Sequence, residues 1–323
     1  MNNIFRKAEE KIKKCNFLFI FFITFRNYSF YFLNKISHYQ LEKIRFYKEI
    51  GYRLNLKNPK SCNEKIVWKK INDRNPLLPI TADKYKVRSY IKKIMGEEKA
   101  KELLIPLLYV TDKPETIPFE NLPSAFIVKP NHASGKCIKV ENSHFDKNDM
   151  IKTCRRWLKI PYGLDKLEWA YQPIKRKIVV ERFLRDKRGN LPMDFKFHMY
   201  HGKCKSITVF VNRKTNRSKS AFDEKWNSLL MKNPKRPEEP KIRKPKNFEK
   251  MLEIAEELSK PFDYIRVDLY NIDGKIHFGE LTHYPKSGRR RFEPSSLDME
   301  YGEYWKIKPG YWTADNHKPF SID

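Results

Sequence analysis

β-Branched and aromatic residues gather in short runs along the middle of the chain. Lys177 to Leu184, Met193 to Tyr200 and Lys205 to Val211 are runs of seven or eight residues rich in these types, spaced as an antiparallel sheet, and His201-Gly202-Lys203 turns the second run into the third. Ala125 to Lys129 predicts an apolar strand, followed by a small polar loop (Asn131 to Gly135) and a second strand from Lys136 to Val140. Leu103 to Val110 is a short apolar segment closed by the turn signal Asp112-Lys113-Pro114. Helical spacing marks Thr81 to Met95, with Thr81 placed to cap its start, and the amphipathic Phe248 to Leu258. Tyr264 to Tyr270 and Lys275 to Thr282 flank Asn271-Ile272-Asp273-Gly274, a hairpin signal. Residues 233–247 carry four prolines and six basic residues and predict an exposed loop or lid flank. No period of a solenoid or propeller repeats.

The first fifty residues differ from the rest. Residues 17–32 hold nine aromatics, but the wholly apolar part, Phe17 to Ile23, is shorter than the roughly 20 residues of a bilayer-spanning helix. A basic start precedes it without an A-x-A-like cleavage site, which argues against secretion. Two readings stay open: a helix lying on the anionic inner face of a membrane, or an aromatic helix packed on the domain behind it. The 323 residues suffice for a large core, and 67 Lys and Arg against 39 Asp and Glu leave a charge of +28. That excess suits an anionic partner or surface. Five widely spaced cysteines without a C-x-x-C pair predict a reducing cytoplasm, with peripheral contact to the inner membrane face as its extension. The positive charge is scattered and no recognition-helix or RRM signature occurs, which argues against a nucleic-acid partner.

The terminal hairpin carries the candidate chemistry. With a three-residue turn and Gly274 in the left-handed position, Asp268 would oppose Phe278 and Arg266 would oppose Glu280, so that Arg266, Asp268, Phe278, Glu280 and Thr282 share one face. Two carboxylates on neighbouring strands can hold Mg²⁺ and leave room for phosphate oxygens. The plainer alternative is a solvated face with an Arg–Glu cross-strand pair. The small-residue loop after Lys129 would let backbone N–H groups approach phosphates, with Lys129 and Lys136 adding charge, although no Walker A, G-x-G-x-x-G or G-x-S-x-G motif occurs. His198 and His201 fall on opposite faces of a strand, a poor metal pair, and Arg289-Arg290-Arg291 could grip an anion or lie solvated.

The order of several blocks resembles the TupA-like branch of the ATP-grasp superfamily, linked to teichuronopeptide and other cell-surface polysaccharide synthesis. These are Asn55 to Pro59 with Asn63-Glu64-Lys65, Ala82 to Arg88, Phe126 to Gly135, Glu168 to Tyr171, Val179 to Leu184, Ile265 to Tyr270, Gly279 to Thr282 and Pro285 to Gly288. The resemblance implies an α+β ATP-grasp fold, two subdomains gripping ATP, with a basic helical N-terminal extension. It divides the chain into that extension (1–50) and a catalytic region (51–323). The latter comprises a helical lead-in (51–115), a nucleotide-clamping part (116–184), a metal-binding sheet (185–300) and a tail (301–323). It also implies roles. Lys84 and Lys129 would embrace the ATP phosphates, and Ser134 and Gly135 would belong to the phosphate-covering loop beside Lys136. Glu181 would be the hinge acid, with backbone groups of Phe183 and Leu184 meeting adenine. Asp268 and Glu280 would hold Mg²⁺, and Arg266 would steady the reacting phosphate. Two departures stand out. Thr282 replaces the usual Asn of the metal set, and the spacing after Glu181, stretched by Asp186 to Asn190, leaves the ribose contact open, with Asp194 or Lys196 as candidates to sit near the nucleotide.

The implied activity is an ATP-dependent carboxylate–amine ligase working through an acyl phosphate. Its substrates would be a uronic acid or other acidic group of a cell-surface glycan or its precursor, and an amine or amino acid. A phosphotransferase on the same fold and a glycosyltransferase are the alternatives.

Overall fold

The computed structural model describes residues 16–211, 218–229 and 242–307. Most of the proline-rich 233–247 stretch, the basic residues before Asn16 and the end of the tail lie outside them. The architecture is α+β, built in two compact units that the chain crosses between repeatedly: residues up to Leu54 with Leu107–Arg182, and Asn55–Pro106 with the residues from Phe183 onward.

The first unit holds a four-stranded antiparallel sheet of β1 (Leu107–Thr111), β2 (Phe126–Pro130), β3 (Ile138–Val140) and β4 (Ile178–Arg182), in the order β1-β4-β2-β3. Phe126 and Val128 point to one face with Ile178 and Val180, where they meet Met150 and Cys154 of the Lys147–Lys159 helix. Asp146 caps that helix by accepting from the Asp149 N–H, and the Arg176 guanidinium donates to the carbonyls of Leu158 and Lys159 at its far end. The Asn16–Ile36 helix lies on this unit through Phe19 and Ile23 against Ile160, and the Asn27 amide donates to the Pro161 carbonyl at 3.1 Å.

The second unit is organised by a five-stranded antiparallel sheet, β7-β6-β5-β8-β9, made of β5 (Met193–Tyr200), β6 (Lys203–Val211), β7 (Ser218–Phe222), β8 (Tyr264–Ile272) and β9 (Lys275–Thr282). The run at 177–184 therefore does not pair with the runs at 193–200 and 205–211 as their spacing predicts. It belongs to the other sheet, since strands of like composition carry no signal of which sheet they enter. Phe195, Phe197 and Met199 of β5 and Ile265, Val267 and Leu269 of β8 are wholly buried on one face, under Met251, Ala255 and Leu258 of the Phe248–Ser259 helix. The alternate positions, Asp194, Lys196, His198, Arg266 and Asp268, lie on the opposite face.

Several sequence blocks turn out to be scaffolding. Ser61 and Glu64 form a capping box at the start of the Cys62–Asn72 helix, and Glu64 also accepts from the N–H groups of Asn55 and Lys60. Deeper along that helix, Lys69 is buried between Asp73 and Asp263, both at 2.7 Å, while the Trp305 indole donates to Asp263. Burial disfavours a charged lysine there, and the two carboxylates outweigh it and hold Lys69 protonated. Thr81 does not cap a helix running to Met95. The helix breaks after Ala82, the Thr81 hydroxyl donates to the Leu77 carbonyl, and Asp83 accepts from Tyr85 and Lys86 at the turn before Val87–Met95.

Candidate active site

The hairpin of β8 and β9 turns in two residues. Ile272 pairs with Lys275, and Asp273 and Gly274 both take positive φ, 49° and 84°, as a type I′ turn requires. The three-residue turn and its pairings, Asp268 with Phe278 and Arg266 with Glu280, are therefore not formed. From the turn, Leu269 faces Phe278. Continued unbroken, that register would set Asp268 against Gly279 and Val267 against Glu280, sending the Glu280 carboxylate to the core face. A bulge at Gly279 takes up one residue. Asp268 then faces Glu280 and Arg266 faces Thr282, while Phe278 turns into the core with Leu269. Gly279 is the residue that fits this position, because a Cβ there would lie 3.0 Å from the Asp268 carbonyl oxygen and 3.2 Å from the Tyr270 ring.

Pairing of β5 with β8 adds a third strand, setting Lys196 beside Asp268 and His198 beside Arg266. Two rows of side chains thus cross the sheet, Lys196–Asp268–Glu280 and His198–Arg266–Thr282. The Arg266 guanidinium donates through Nε to Asp268 Oδ1 at 2.6 Å. Its Nη2 donates to Asp268 Oδ2 at 2.7 Å, Glu280 Oε1 at 3.2 Å and Thr282 Oγ1 at 2.9 Å. The Thr282 hydroxyl donates in turn to Glu280 Oε1 at 2.9 Å. Lys196 bridges Asp268 and Asp194, the latter at 2.8 Å. Burial works against the charge of Glu280, but Lys84, then Arg266 and Lys196, with the Thr282 hydroxyl, outweigh it and hold the carboxyl down at about 2. Lys84, on the turn that Asp83 builds, therefore belongs electrostatically to this face.

Among the described residues no three His, Cys, Asp or Glu side chains form a group that could hold a metal by themselves. Asp268 and Glu280 offer two carboxylates, the donor set of a Mg²⁺ ion whose remaining ligands are phosphate oxygens and water. The oxygen chemistry fits that ion, and the neighbouring Arg266, Lys196 and Lys84 suit an anionic ligand.

The first unit brings together another pair. Lys129 and Glu181 project from adjacent strands on the face opposite the buried core and form an ion pair at 2.6 Å. At the end of β2 the Asn131 side chain accepts from the Lys177 N–H and donates to the Lys175 carbonyl, fixing the base of the loop that follows. Ser134 and Gly135 are exposed on it, Gly135 with φ +73°, and Ser134 hydrogen-bonds the Tyr162 hydroxyl. Burial, with Lys166 nearby, lowers the Lys136 pKa from its usual value. Phe183 and Leu184 follow β4 where the chain passes into the second unit.

Further side chains are placed on or beside this face. His198 accepts from the Arg290 guanidinium at 3.5 Å through Nε2, since arginine only donates, so its Nδ1–H faces the Tyr264 hydroxyl at 3.1 Å. Arg290 is positioned by Asn63, whose amide donates to the Arg290 carbonyl and accepts from its N–H while Asp298 holds Asn63 itself. Lys70 donates to the carbonyl and hydroxyl of Ser287. Buried lysines on a basic helix read in sequence as solvated charge. His201 sits at the β5–β6 turn and accepts from the Lys306 N–H, a structural role.

With this geometry in hand, three solved structures bear comparison. A D-alanine–D-alanine ligase from Bacillus anthracis is similar at 17% identity over 73% of this chain and 74% of that one, with a TM-score of 0.44. The corresponding enzyme from Helicobacter pylori is similar at 16% identity over 71% of this chain and 62% of that one, with a TM-score of 0.39. An L-amino acid ligase from Bacillus licheniformis is similar at 15% identity over 64% of this chain and 44% of that one, with a TM-score of 0.38. The chain spans less than two thirds of the length of the last two. No curated protein sequence matches it. Residues 64–306, about three quarters of the chain, match the sequence model of an ATP-grasp family, which makes the protein an ATP-grasp enzyme. That family is the TupA-like ATP-grasp family, and the chain belongs to it.

Two outcomes follow from the geometry. Gly279→Val should cost about 1–3 kcal/mol of stability by overpacking the bulge. It should also depress ATP turnover, which denaturant titration and an ADP-release assay on the same variant check together. Burial, reinforced by Arg290, Arg266 and Lys196, holds the His198 pKa well below 6.5. The unfolded chain takes up that proton near 6.5 and the folded chain does not, so stability is full above that pH and falls as pH drops below it. A melting series from about pH 7 to about pH 5 should show this fall, and His198→Gln should reduce it.

Proposed function

We propose that the protein joins a carboxylate to an amine through an acyl phosphate, and that the carboxylate belongs to an acidic cell-surface glycan or its precursor. The observation that carries the reading is the row Lys196–Asp268–Glu280, with Arg266 clamped across both carboxylates. In this reading Asp268 and Glu280 hold Mg²⁺ with the nucleotide, and Thr282 orients Glu280. The ion supplies positive charge to the phosphate oxygens when bound. Arg266 and Lys84 lend fixed charge to the phosphoryl group in flight, in surroundings where preorganised cations act more strongly than in water. Within the first unit, Lys129, kept beside Glu181, and the backbone N–H groups of the Ser134-Gly135 loop are the groups assigned to phosphate binding. Phe183 and Leu184 are assigned to adenine, Lys136 to the phosphate loop, and Asp194 with Lys196 to the nucleotide side of the sheet.

The chemistry balances without an enzyme nucleophile. A substrate carboxylate oxygen attacks the γ-phosphorus and ADP leaves; the amine nitrogen attacks the acyl carbon, phosphate leaves and the nitrogen loses a proton. The charge of +28 suits a polyanionic substrate. Arg290, held at the edge of the active face by Asn63, is our choice for the cation that meets the acidic acceptor. A cytoplasmic setting beside the inner membrane face, where lipid-linked glycan precursors are made, completes the reading.

ADP release with Mg²⁺ and ATP should require both an acidic saccharide and an amine. Asp268→Asn and Glu280→Gln should each lower it by about 10²-fold or more while the melting temperature stays within a few degrees. A phosphorylated saccharide that accumulates without amine would overturn the ligase reading in favour of phosphotransfer, and full activity in both variants would overturn the assignment of the carboxylates.

A further inference from the structure

The Asn16–Ile36 helix has two unlike faces. Phe19, Ile23, Asn27 and Asn34 are buried against the first unit. On the opposite side Phe17, Leu18, Phe21, Phe25, Tyr28, Phe32 and Ile36 are all exposed, with Phe17 at 77%, Phe25 at 64% and Ile36 at 76%. At 3.6 residues per turn these seven fall within an arc of about 100°, on which Lys35 is the one charged residue. The stripe is continuous: Phe21 stacks on Phe25, and Tyr28 on Phe32. Ile44 and Tyr47 of the following Gln40–Ile50 helix are exposed as well. A monomeric surface rarely keeps so large an apolar patch without an occupant.

Charge decides which occupant. Between residues 11 and 41 the sequence has five basic residues, Lys11, Lys13, Lys14, Arg26 and Lys35, and no acidic one. Pairing with a second copy through this stripe would bring two such basic stretches together, whereas an anionic surface neutralises them. No helix among the described residues is long and apolar enough to cross a membrane. We infer that the stripe Phe17–Phe21–Phe25–Tyr28–Phe32–Ile36 is a membrane-docking face that lies in the headgroup region of an anionic bilayer while the buried face of the same helix anchors it to the protein. Phenylalanines supply the apolar insertion, Tyr28 meets the interface through its hydroxyl, and the flanking lysines meet lipid phosphates. The inference stands apart from the ligase reading, because docking needs neither nucleotide nor carboxylate.

The test is flotation of the full-length protein with vesicles of phosphatidylglycerol and phosphatidylcholine against vesicles of phosphatidylcholine alone. The protein should float with the anionic vesicles, weaken as salt rises, and bind the zwitterionic ones poorly. Phe21→Gln with Phe25→Gln should reduce the partition coefficient about tenfold or more while ADP release without lipid is unchanged. Phe25→Trp should show fluorescence quenching by brominated lipid, a reading that holds should the double variant fail to fold. No flotation by the wild type, equal flotation by a folded double variant, or an indole at position 25 that brominated lipid leaves unquenched would overturn the proposal. So would a wild-type dimer, seen by light scattering, that the double variant abolishes while vesicle binding persists.

Discussion

The active face depends on keeping two like charges side by side on a β-ribbon, and one extra residue makes that arrangement. A type I′ turn alone would alternate Glu280 onto the core face; the Gly279 bulge returns it to the side of Asp268. Close carboxylates repel, and here the repulsion is met from three directions. Arg266 spans both, Lys196 approaches Asp268 from the next strand, and Lys84 acts on Glu280. In the proposed reading the same cations that make the pair tolerable in the folded protein also serve the triphosphate.

Beside that face the second unit is tied by buried polar contacts. The Cys62–Asn72 helix supplies Asn63 to Arg290 and Lys70 to Ser287, and its Lys69 is locked between two buried acids. Removing one partner of such a buried group strands the others without solvent, which is why networks of this kind resist local change. The first unit treats its own pair in the same way, with Lys129 held by Glu181 and the loop base tied by Asn131.

Much of the strand pattern was legible because β5, β8 and β9 have strong β-formers and a glycine-bearing turn signal separates the last two. Met193–Tyr200 and Lys275–Thr282 run where the residues predict. The pairing of Asp268 was not legible. A two-residue turn followed by a bulge puts Phe278 and Leu269 together in the core, whereas the three-residue turn would have put Phe278 beside Asp268. Thr81 misled because a threonine before a periodic run suits a cap, yet its hydroxyl already had the Leu77 carbonyl within reach. Family blocks such as Asn55 to Pro59 were recognisable but silent about their contacts: the Asn55 side chain accepts from the N–H groups of Lys57 and Asn58, and its own N–H donates to Glu64 of the capping box. Lys70 had no signal, and neither the family block that holds Asn63 nor the strand position of His198 told of their contacts, since these are with residues some 90 to 230 positions away. The two readings of the N-terminal helix were both kept open by sequence because its faces differ, one packed on the protein and one exposed.

The central claim is that Asp268 and Glu280 together hold the divalent ion that accompanies the nucleotide. Crystals grown with Mn²⁺ and a non-hydrolysable ATP analogue, measured at a wavelength where manganese scatters anomalously, test it directly. A strong anomalous peak bonded to oxygens of both carboxylates, and absent in the Glu280→Gln protein, is the predicted result. A peak bound elsewhere, with Arg266 still clamped across Asp268 and Glu280, would contradict it.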